Sequence, residues 1–529
     1  MPATPPSRQI ATSLMSEKFP RHDPTRWARP AKRRIAPAVL ALAVAGLFAG
    51  CAVGPDYKQP AAPLGSGYAP DALAASTTVS APTPGGNAQT FVSGLDIPGQ
   101  WWTLYHSKAL NQLIAQALTH SPTLESAQAA LREADENVAA AGGSFFPSAS
   151  VGFNPAREKI SGATEGLSYN PIYTLYGASV NVSYTVDAFG GTRRQVEQTR
   201  ALAESQQFVL EASYLSLTSN IVTAAINEAS LRAQIAATED IVKAEQAQLD
   251  IIKRQVHAGA ASRADVLQQQ AALSSTQATL PALRSQLVQQ RNQLATYVGV
   301  LPADYDGAAF NLDDLVLPDQ LPVSLPSQLV AQRPDIRQYA ALLHQATANI
   351  GVATANMLPQ VTLTSSYGRE SLSLDKLFSP ASLVWSLAGS ITQPIFQGGA
   401  LKHKRSAAEA AAQEAAANYR GTVLAAFQNV SNVLYALQAD ADALQSSLTA
   451  EQSAAESLSI TQTRYRSGAD TYVQVLLAEQ TYQNSAISLV KARAQRYADT
   501  AALFQALGGG WWHQPASAQD SQPVDGSKG

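Results

Sequence analysis

The sequence predicts an α+β chain of very long helices and a few strands, laid out twice in tandem. Three observations predict it: an internal repeat, segments that alternate apolar and polar residues, and helical stretches far longer than one globular core supports.

The repeat is read by comparing "SPTLESAQAALREADENVAAAGGSFFPSASVG", which opens at Ser121, with "RPDIRQYAALLHQATANIGVATANMLPQVTLTSSYG", which opens at Arg333. Pro122 and Pro334, Leu124 and Ile336, Leu131 and Leu343, Val138 and Ile350, and Pro147 and Pro359 all correspond at an offset of 212. Further along, Gly190-Gly191 corresponds to Gly398-Gly399, and Gly259 in "VHAGAASRADVL" to Gly468 in "YRSGADTYVQVL". Three matches in one order, with a small drift in offset, mean two related halves separated by short loop insertions.

At the N-terminus, Lys32, Arg33 and Arg34 precede a 14-residue apolar run over 35–48. That is the size of a signal-peptide core and short of the roughly 20 residues of a spanning helix. Residues 1–50 are expected to be a signal peptide. Ala49 and Gly50 lead to Cys51, the only cysteine, in a pattern that resembles a bacterial lipobox, so a covalent lipid on Cys51 is expected. Phe48 departs from that pattern, where leucine is usual. The other reading is an ordinary signal peptide with an incidental thiol. The basic segment lies deep in the chain, so a start at Met15 stays open beside Met1.

Residues 51–103 are rich in Pro, Gly, Ser, Thr and Ala and read as an extended arm. The first repeat, 104–320, is expected to hold a helix over 104–141, strands over 148–154 and 177–189, a long helix over 192–256 and a returning helix over 263–298. The second, 321–507, repeats this with a helix over 326–356, strands over 360–367 and 383–396, and helices over 400–466 and 471–507. The strand-to-helix junctions fall at Gly190, Gly191, Gly398 and Gly399, and the hairpin turns at Gly259 and Gly468. Residues 508–529 read as a flexible tail.

Val180, Val182, Tyr184 and Val186 alternate with Asn181, Ser183, Thr185 and Asp187, and Leu383, Trp385, Leu387 and Ile391 repeat the pattern. Such a sheet either covers a soluble core or crosses a membrane with lipid on one side and water on the other. In lipid, four strands cannot stand alone, because open edges leave backbone groups unpaired at several kcal/mol each. Three copies would supply twelve strands, enough to close a barrel. In the helices, Leu273, Leu280, Leu287 and Leu294 keep a heptad spacing, and Pro281 among them predicts a bend or break.

Composition narrows the function. Charged residues are 15% of the chain and the net charge is -3, which offers nucleic acid no footprint. A single cysteine excludes an intramolecular disulfide and a multi-thiol metal site. The seven histidines are scattered, no phosphate-binding loop occurs, and no nucleophile has a positioned base. No catalytic, cofactor or metal site is expected, and no enzyme.

The stretches "CAVGPDYKQP", "WWTLYHSKALNQLIAQAL", "RPDIRQYAALLHQATANIGVATANMLPQVTLT" and "PIFQGG" closely resemble the outer-membrane channel subunits of Gram-negative tripartite efflux systems, and their lipoprotein branch in particular. The resemblance spans 51–507. It implies a homotrimer, an α+β membrane protein whose 12-stranded β-barrel, four strands per chain, sits in the outer membrane and continues as an α-helical barrel in the periplasm. It also implies a membrane-fusion adaptor and an inner-membrane transporter, expected to be proton-driven, as partners. Small toxic compounds or drugs would be the cargo of a passive duct. A protein-secretion channel of the type I kind and a non-channel coiled-coil lipoprotein are the alternatives.

The family's periplasmic entrance is often narrowed by acidic residues and a tyrosine–arginine–aspartate network. By resemblance, Tyr465, Asp265 and Asp470 take such positions, with Arg263, Arg464 and Arg466 as charge partners. Gln474 and Leu477 stand where aspartates are frequent, which implies a closed tip held mainly by packing. The bland alternatives are solvated turn residues for Asp265 and Asp470 and helix packing for Tyr465. Mass spectrometry of the N-terminal peptide is expected to find Cys51 carrying lipid. An unmodified Cys51 would refute the anchor and leave the channel reading intact.

Overall fold

In the computed structural model, the described residues are 52–61, 67–68, 74–78, 83–161, 163, 166 and 168–513. The expected signal peptide, Cys51 and the end of the expected tail lie outside them. In chain order the elements are β1 (Thr90–Ser93), α1 (Lys108–His120), α2 (Pro122–Gly142), β2 (Ser148–Lys159), β3 (Ile172–Val186), α3 (Gly191–His257) and α4 (Arg263–Val298). Then follow β4 (Gln320–Val323), α5 (Pro326–Gln332), α6 (Pro334–Ala355), β5 (Gln360–Ser371), β6 (Leu383–Thr392), α7 (Ala400–Arg466) and α8 (Tyr472–Ala506).

The sheet is antiparallel, in the order β2-β3-β5-β6. Its register pairs Val151 with Val180, Val180 with Tyr367, and Tyr367 with Trp385. Because neighbours in register share a face, one side collects Val151, Phe153, Val180, Val182, Leu363, Tyr367, Trp385, Leu387 and Ile391. That apolar side is open: Val151 is 83% exposed, Trp385 72%, Leu387 75% and Ile391 74%. The other face carries Ser150, Asn181, Ser183, Thr364, Ser366, Ser386 and Ser390. The four strands run for 12, 15, 12 and 10 residues. β2, β3 and β5 reach further at their hairpin ends than expected, whereas β3 stops at Val186 rather than 189 and β6 at Thr392 rather than 396, ahead of the strand-to-helix junctions.

α3 and α7 are 67 residues each, which at 1.5 Å per residue is about 100 Å. Shorter helices stack end to end beside them. α2 packs on α3, α3 on α6 and α6 on α7 nearer the sheet; α4 packs on α3, α3 on α8 and α8 on α7 further away. Part of α3 is apolar enough to cross a membrane by length and composition, but half of that stretch is buried within the chain.

Two expected helices are split by proline. Ser121 and Arg333 take extended backbone with ψ of 121° and 125°, because the ring of the following proline excludes the helical region for the residue before it. Pro122 and Pro334 then open new helices, where a missing N–H costs nothing. The break expected at Pro281 does not occur, and α4 runs through it. Pro281 is exposed, so the carbonyl it strands meets water, while Leu273, Leu280 and Leu294 stay buried.

A belt at mid-length holds the main apolar core, built from Trp101, Tyr105, Ile114, Ile221, Leu321, Val430, Leu434 and Phe504 among others. Within it β1 pairs in parallel with β4, a sheet the sequence did not announce. The arm is threaded through the belt's edge by the fully buried Arg496, whose guanidinium donates to the carbonyls of Gly85 (2.7 Å) and Asn87 (2.5 Å) and to Thr77 Oγ1 (3.1 Å). The expectation of a flexible tail fails at its start. Gly508, Gly509 and Gly510 are buried, all with positive φ, and Trp511 donates to the Gln332 carbonyl at 2.5 Å. Only glycine fits that path, since a Cβ on Gly510 would lie 2.6 Å from the carbonyl oxygens of Ile97 and Pro98.

Candidate functional site

The end of the helices remote from the sheet is the candidate site. α3 turns into α4 through Gly259 and α7 into α8 through Gly468, with φ of 74° and 76°, values that L side chains rarely adopt. Each glycine therefore allows a short reversal between helices tens of residues long.

The tip residues read from sequence are brought to this end but not joined in one network. Asp265 serves the start of α4: its carboxylate accepts from Ser262 N (2.8 Å) and Oγ (2.9 Å), while Ser262 Oγ accepts from Asp265 N (3.2 Å). This is a capping box, which satisfies amides that a helix start leaves free. Asp470 is held by Arg464 of its own hairpin, at 2.7 and 3.3 Å. Arg466 bonds its own helix, at Gln462 O and Thr463 Oγ1, and Arg263 is exposed. Tyr465 reaches across to the other hairpin, but its hydroxyl donates to Gln255 Oε1 (3.2 Å) rather than bonding an aspartate. Gln474 and Leu477 lie on the exposed side of α8, Leu477 at 52%.

What holds the two hairpins together is a seam the sequence reading missed. Ile252, Tyr472 and Val475 form a small apolar cluster, with the Tyr465 and Tyr472 rings 5.4 Å apart. Above it, the Tyr472 hydroxyl bonds Gln269, whose amide donates to the Glu245 carbonyl at 3.1 Å. The Glu245 side chain accepts from Thr276 Oγ1 at 3.0 Å and from the Gln483 amide. Glu245 and Glu479 are both buried, and each has one carboxylate oxygen without a hydrogen-bond partner among the described residues. The legible signal was Glu479 itself, which shares a helical stripe with Tyr472 and Val475.

Burial, and then the neighbouring Glu245, push the Glu479 carboxyl up to about 7. Burial also raises Glu245, against the bonds from Gln483 and Thr276 that favour its charged form. Burial raises the Tyr472 phenol too. No cation enters among the groups that shift either carboxylate.

At the opposite end of the helices, the start of the arm docks beside β3. Val53 N donates to the Phe189 carbonyl at 3.0 Å, and a Cβ on Gly190 would lie 2.5 Å from Ala52 Cα. Arg194 fixes the arm through the Val53 carbonyl (3.1 Å) and Asp56 (2.6 Å). Gly190 and Gly399 directly precede α3 and α7, with φ of 76° and 85°.

The sequence matches the family model for outer membrane efflux proteins over residues 113–300 and 325–509. It is 28% identical over 498 residues to the probable efflux pump outer membrane protein TtgC of Pseudomonas putida, covering 93% of this chain and 99% of the relative. Among solved structures, the fold is similar to the outer-membrane channel OprN, with TM-score 0.77 and 26% identity over 87% of this chain and 100% of that one. It is also similar to the outer membrane protein VceC of Vibrio cholerae, with TM-score 0.72 and 27% identity over 78% of this chain and 100% of that one.

The pH dependence of the seam follows from Glu479. Its folded pKa is raised, so below the unfolded value near 4.3 the buried carboxyl is neutral in both states and carries no penalty. Stability is lost as pH rises from there through about 7, because only the unfolded state ionises freely. Glu479→Gln is expected to stabilise the protein at pH 8 by on the order of 1 kcal/mol and to flatten the decline between pH 5 and 8. Thermal unfolding across that range checks it; a steeper decline in the variant would count against a buried neutral Glu479.

Proposed function

The chain belongs to the outer membrane efflux protein family, and from that premise we propose that it is the passive exit duct of a tripartite efflux pump, carrying small toxic compounds out of the cell. It resides in the outer membrane and is not an enzyme; members of the family are transport ducts. The observation that carries the architecture is the four-stranded sheet with an exposed apolar face, a hydroxyl-rich opposite face and two unpaired edges. Three copies joined edge to edge would close twelve strands, with Trp385, Leu387 and Ile391 toward lipid and Ser183, Ser366 and Ser390 toward a water-filled lumen. A tilted strand of about 10 residues covers the ~25 Å apolar band of such barrels.

Below the barrel, the helices of three copies would continue the tube into the periplasm, where the Gly259 and Gly468 turns form the end that meets an adaptor. The driving force and most of the substrate choice then belong to an inner-membrane transporter, expected to be proton-driven. A lipid on Cys51 agrees with the docking of Ala52 against Gly190, which holds the start of the arm at the level where strands give way to helices.

Purified protein is expected to have the mass of three copies and to show discrete conductance steps in planar bilayers. A monomer, or a trimer that never conducts at any voltage, would overturn the reading. Leu477→Asp is expected to raise cation over anion selectivity in the same recordings, since it adds a charge to an exposed tip position; unchanged selectivity would mean that Leu477 does not face the lumen.

A further inference from the structure

The two strand-to-helix junctions lie at the same end of the sheet, and their positive charges are treated differently. After Gly190-Gly191, Arg193 pairs with Asp187 at 3.2 Å, and the buried Arg194 pairs with Asp56 at 2.6 Å and Glu197 at 2.7 Å. After Gly398-Gly399 the chain places Lys402, His403, Lys404 and Arg405 in succession, all exposed. Glu409 lies 3.0 Å from Arg405, both side chains about half exposed. Among the described residues Lys402 and Lys404 have no ion pair. One half of the repeat neutralises its junction internally, and the other leaves it charged.

The α7 junction also continues the apolar band. Ile395 and Phe396 are each 87% exposed, and Phe146, just ahead of β2 at the same end of the sheet, is 72% exposed. Lys404 borders a recess of about 390 Å³ between α6 and α7, walled by Val352, Ala353, Leu401 and Ala408. A helix dipole disfavours cations at its N-terminus, so α7 gains nothing for itself from these residues. Consecutive helical positions advance by about 100°, so the cations ring the helix and some face outward whatever its rotation.

We propose that Lys402, Lys404 and Arg405 form a contact surface for the phosphate groups of anionic phospholipid at the periplasmic edge of the barrel. The proposal rests on the barrel reading above, which sets Ile395 and Phe396 at the lipid boundary. Long cationic side chains beside such apolar residues keep their stems along the hydrocarbon and their charges among the headgroups. Each basic residue near an anionic surface contributes about a fivefold preference. The surface recognises charge rather than a particular headgroup, because flexible ammonium groups hold phosphate as point charges.

The test is native mass spectrometry of the full-length trimer titrated with phosphatidylglycerol and, separately, phosphatidylethanolamine of the same acyl chains. Wild type is expected to retain more phosphatidylglycerol. Lys402→Gln/Lys404→Gln/Arg405→Gln is expected to lose about fivefold of that preference for each lipid-facing charge removed, while Lys402→Arg/Lys404→Arg keeps it. The same preference in the glutamine variant as in wild type, or none in wild type, overturns the proposal. Displacement of the lipid by an equal concentration of soluble glycerol phosphate overturns it too, because the site would then read free phosphate. Planar-bilayer conductance of the same samples separates the two claims: a conducting variant without lipid preference upholds both, and a non-conducting wild type fails the channel reading on its own.

Discussion

The free amides and carbonyls along the outer edges of β2 and β6 set the terms for the whole chain. In the proposed barrel the sheet has hydrocarbon on its apolar face, and hydrocarbon offers no hydrogen-bond partners. The edges cannot be blunted by the devices of soluble proteins, such as charges or a covering loop, because those devices would themselves sit in lipid. For the proposed barrel, pairing with another copy is the remaining solution, and it would fix stoichiometry through barrel size. The tandem repeat fits the same logic, since each half supplies one hairpin and one pair of descending helices, and a closed ring needs many such units.

The helices inherit a second constraint. The proposed tube wall, one helix thick, would have no deep interior, so its stability would come from contacts between neighbours side by side. Alanine at many positions of α3 and α7 lets helices approach closely, and 10 of the 24 residues α3 buries are alanine, serine or threonine, whereas α7 buries mainly leucine, valine and alanine. The large apolar side chains are concentrated in the mid-length belt, where Trp101 stacks on Phe504 at 5.2 Å and the arm, the chain end and the parallel pair β1–β4 wrap the bundle. The belt gives the chain a conventional core halfway along a structure that otherwise has none.

Much of this was legible in the sequence, because it is local or periodic. Strand alternation, the two glycine turns, the long helices and the repeat are properties of short windows, and the family resemblance rested on contiguous stretches. Proline is the exception: helices are expected to continue through Pro122 and Pro334, where they break, and to break at Pro281, where they continue, since the difference lies in whether the following residues form a new contact surface or continue an old one. The capping box of Asp265 is written in "SRAD", although the resemblance implies a pore role for that residue. Arg496 and its grip on the arm, the glycine path at 508–510 and the Glu245–Glu479 seam depend on elements far apart in the chain. Nothing in a window of either partner marks them.

The seam between the hairpins differs from the belt in a way that bears on opening. An apolar interface separates only at the full cost of exposing its surface. The seam instead joins its halves through a small apolar cluster and tyrosine and glutamine bonds, which water replaces at small net cost, and it buries two carboxylates whose shifts no cation among the described residues offsets. Buried charges of this kind are generally outperformed by well-packed apolar residues of similar size, so the chain holds its tip below the stability that its helices allow. A tube of the proposed kind, closed at its tip and required to pass cargo, would need its weakest inter-helix contact at the seal. In that reading, a polar seam at the tip and an aromatic belt at mid-length would let the hairpins part at the entrance while the rest of the wall stays joined.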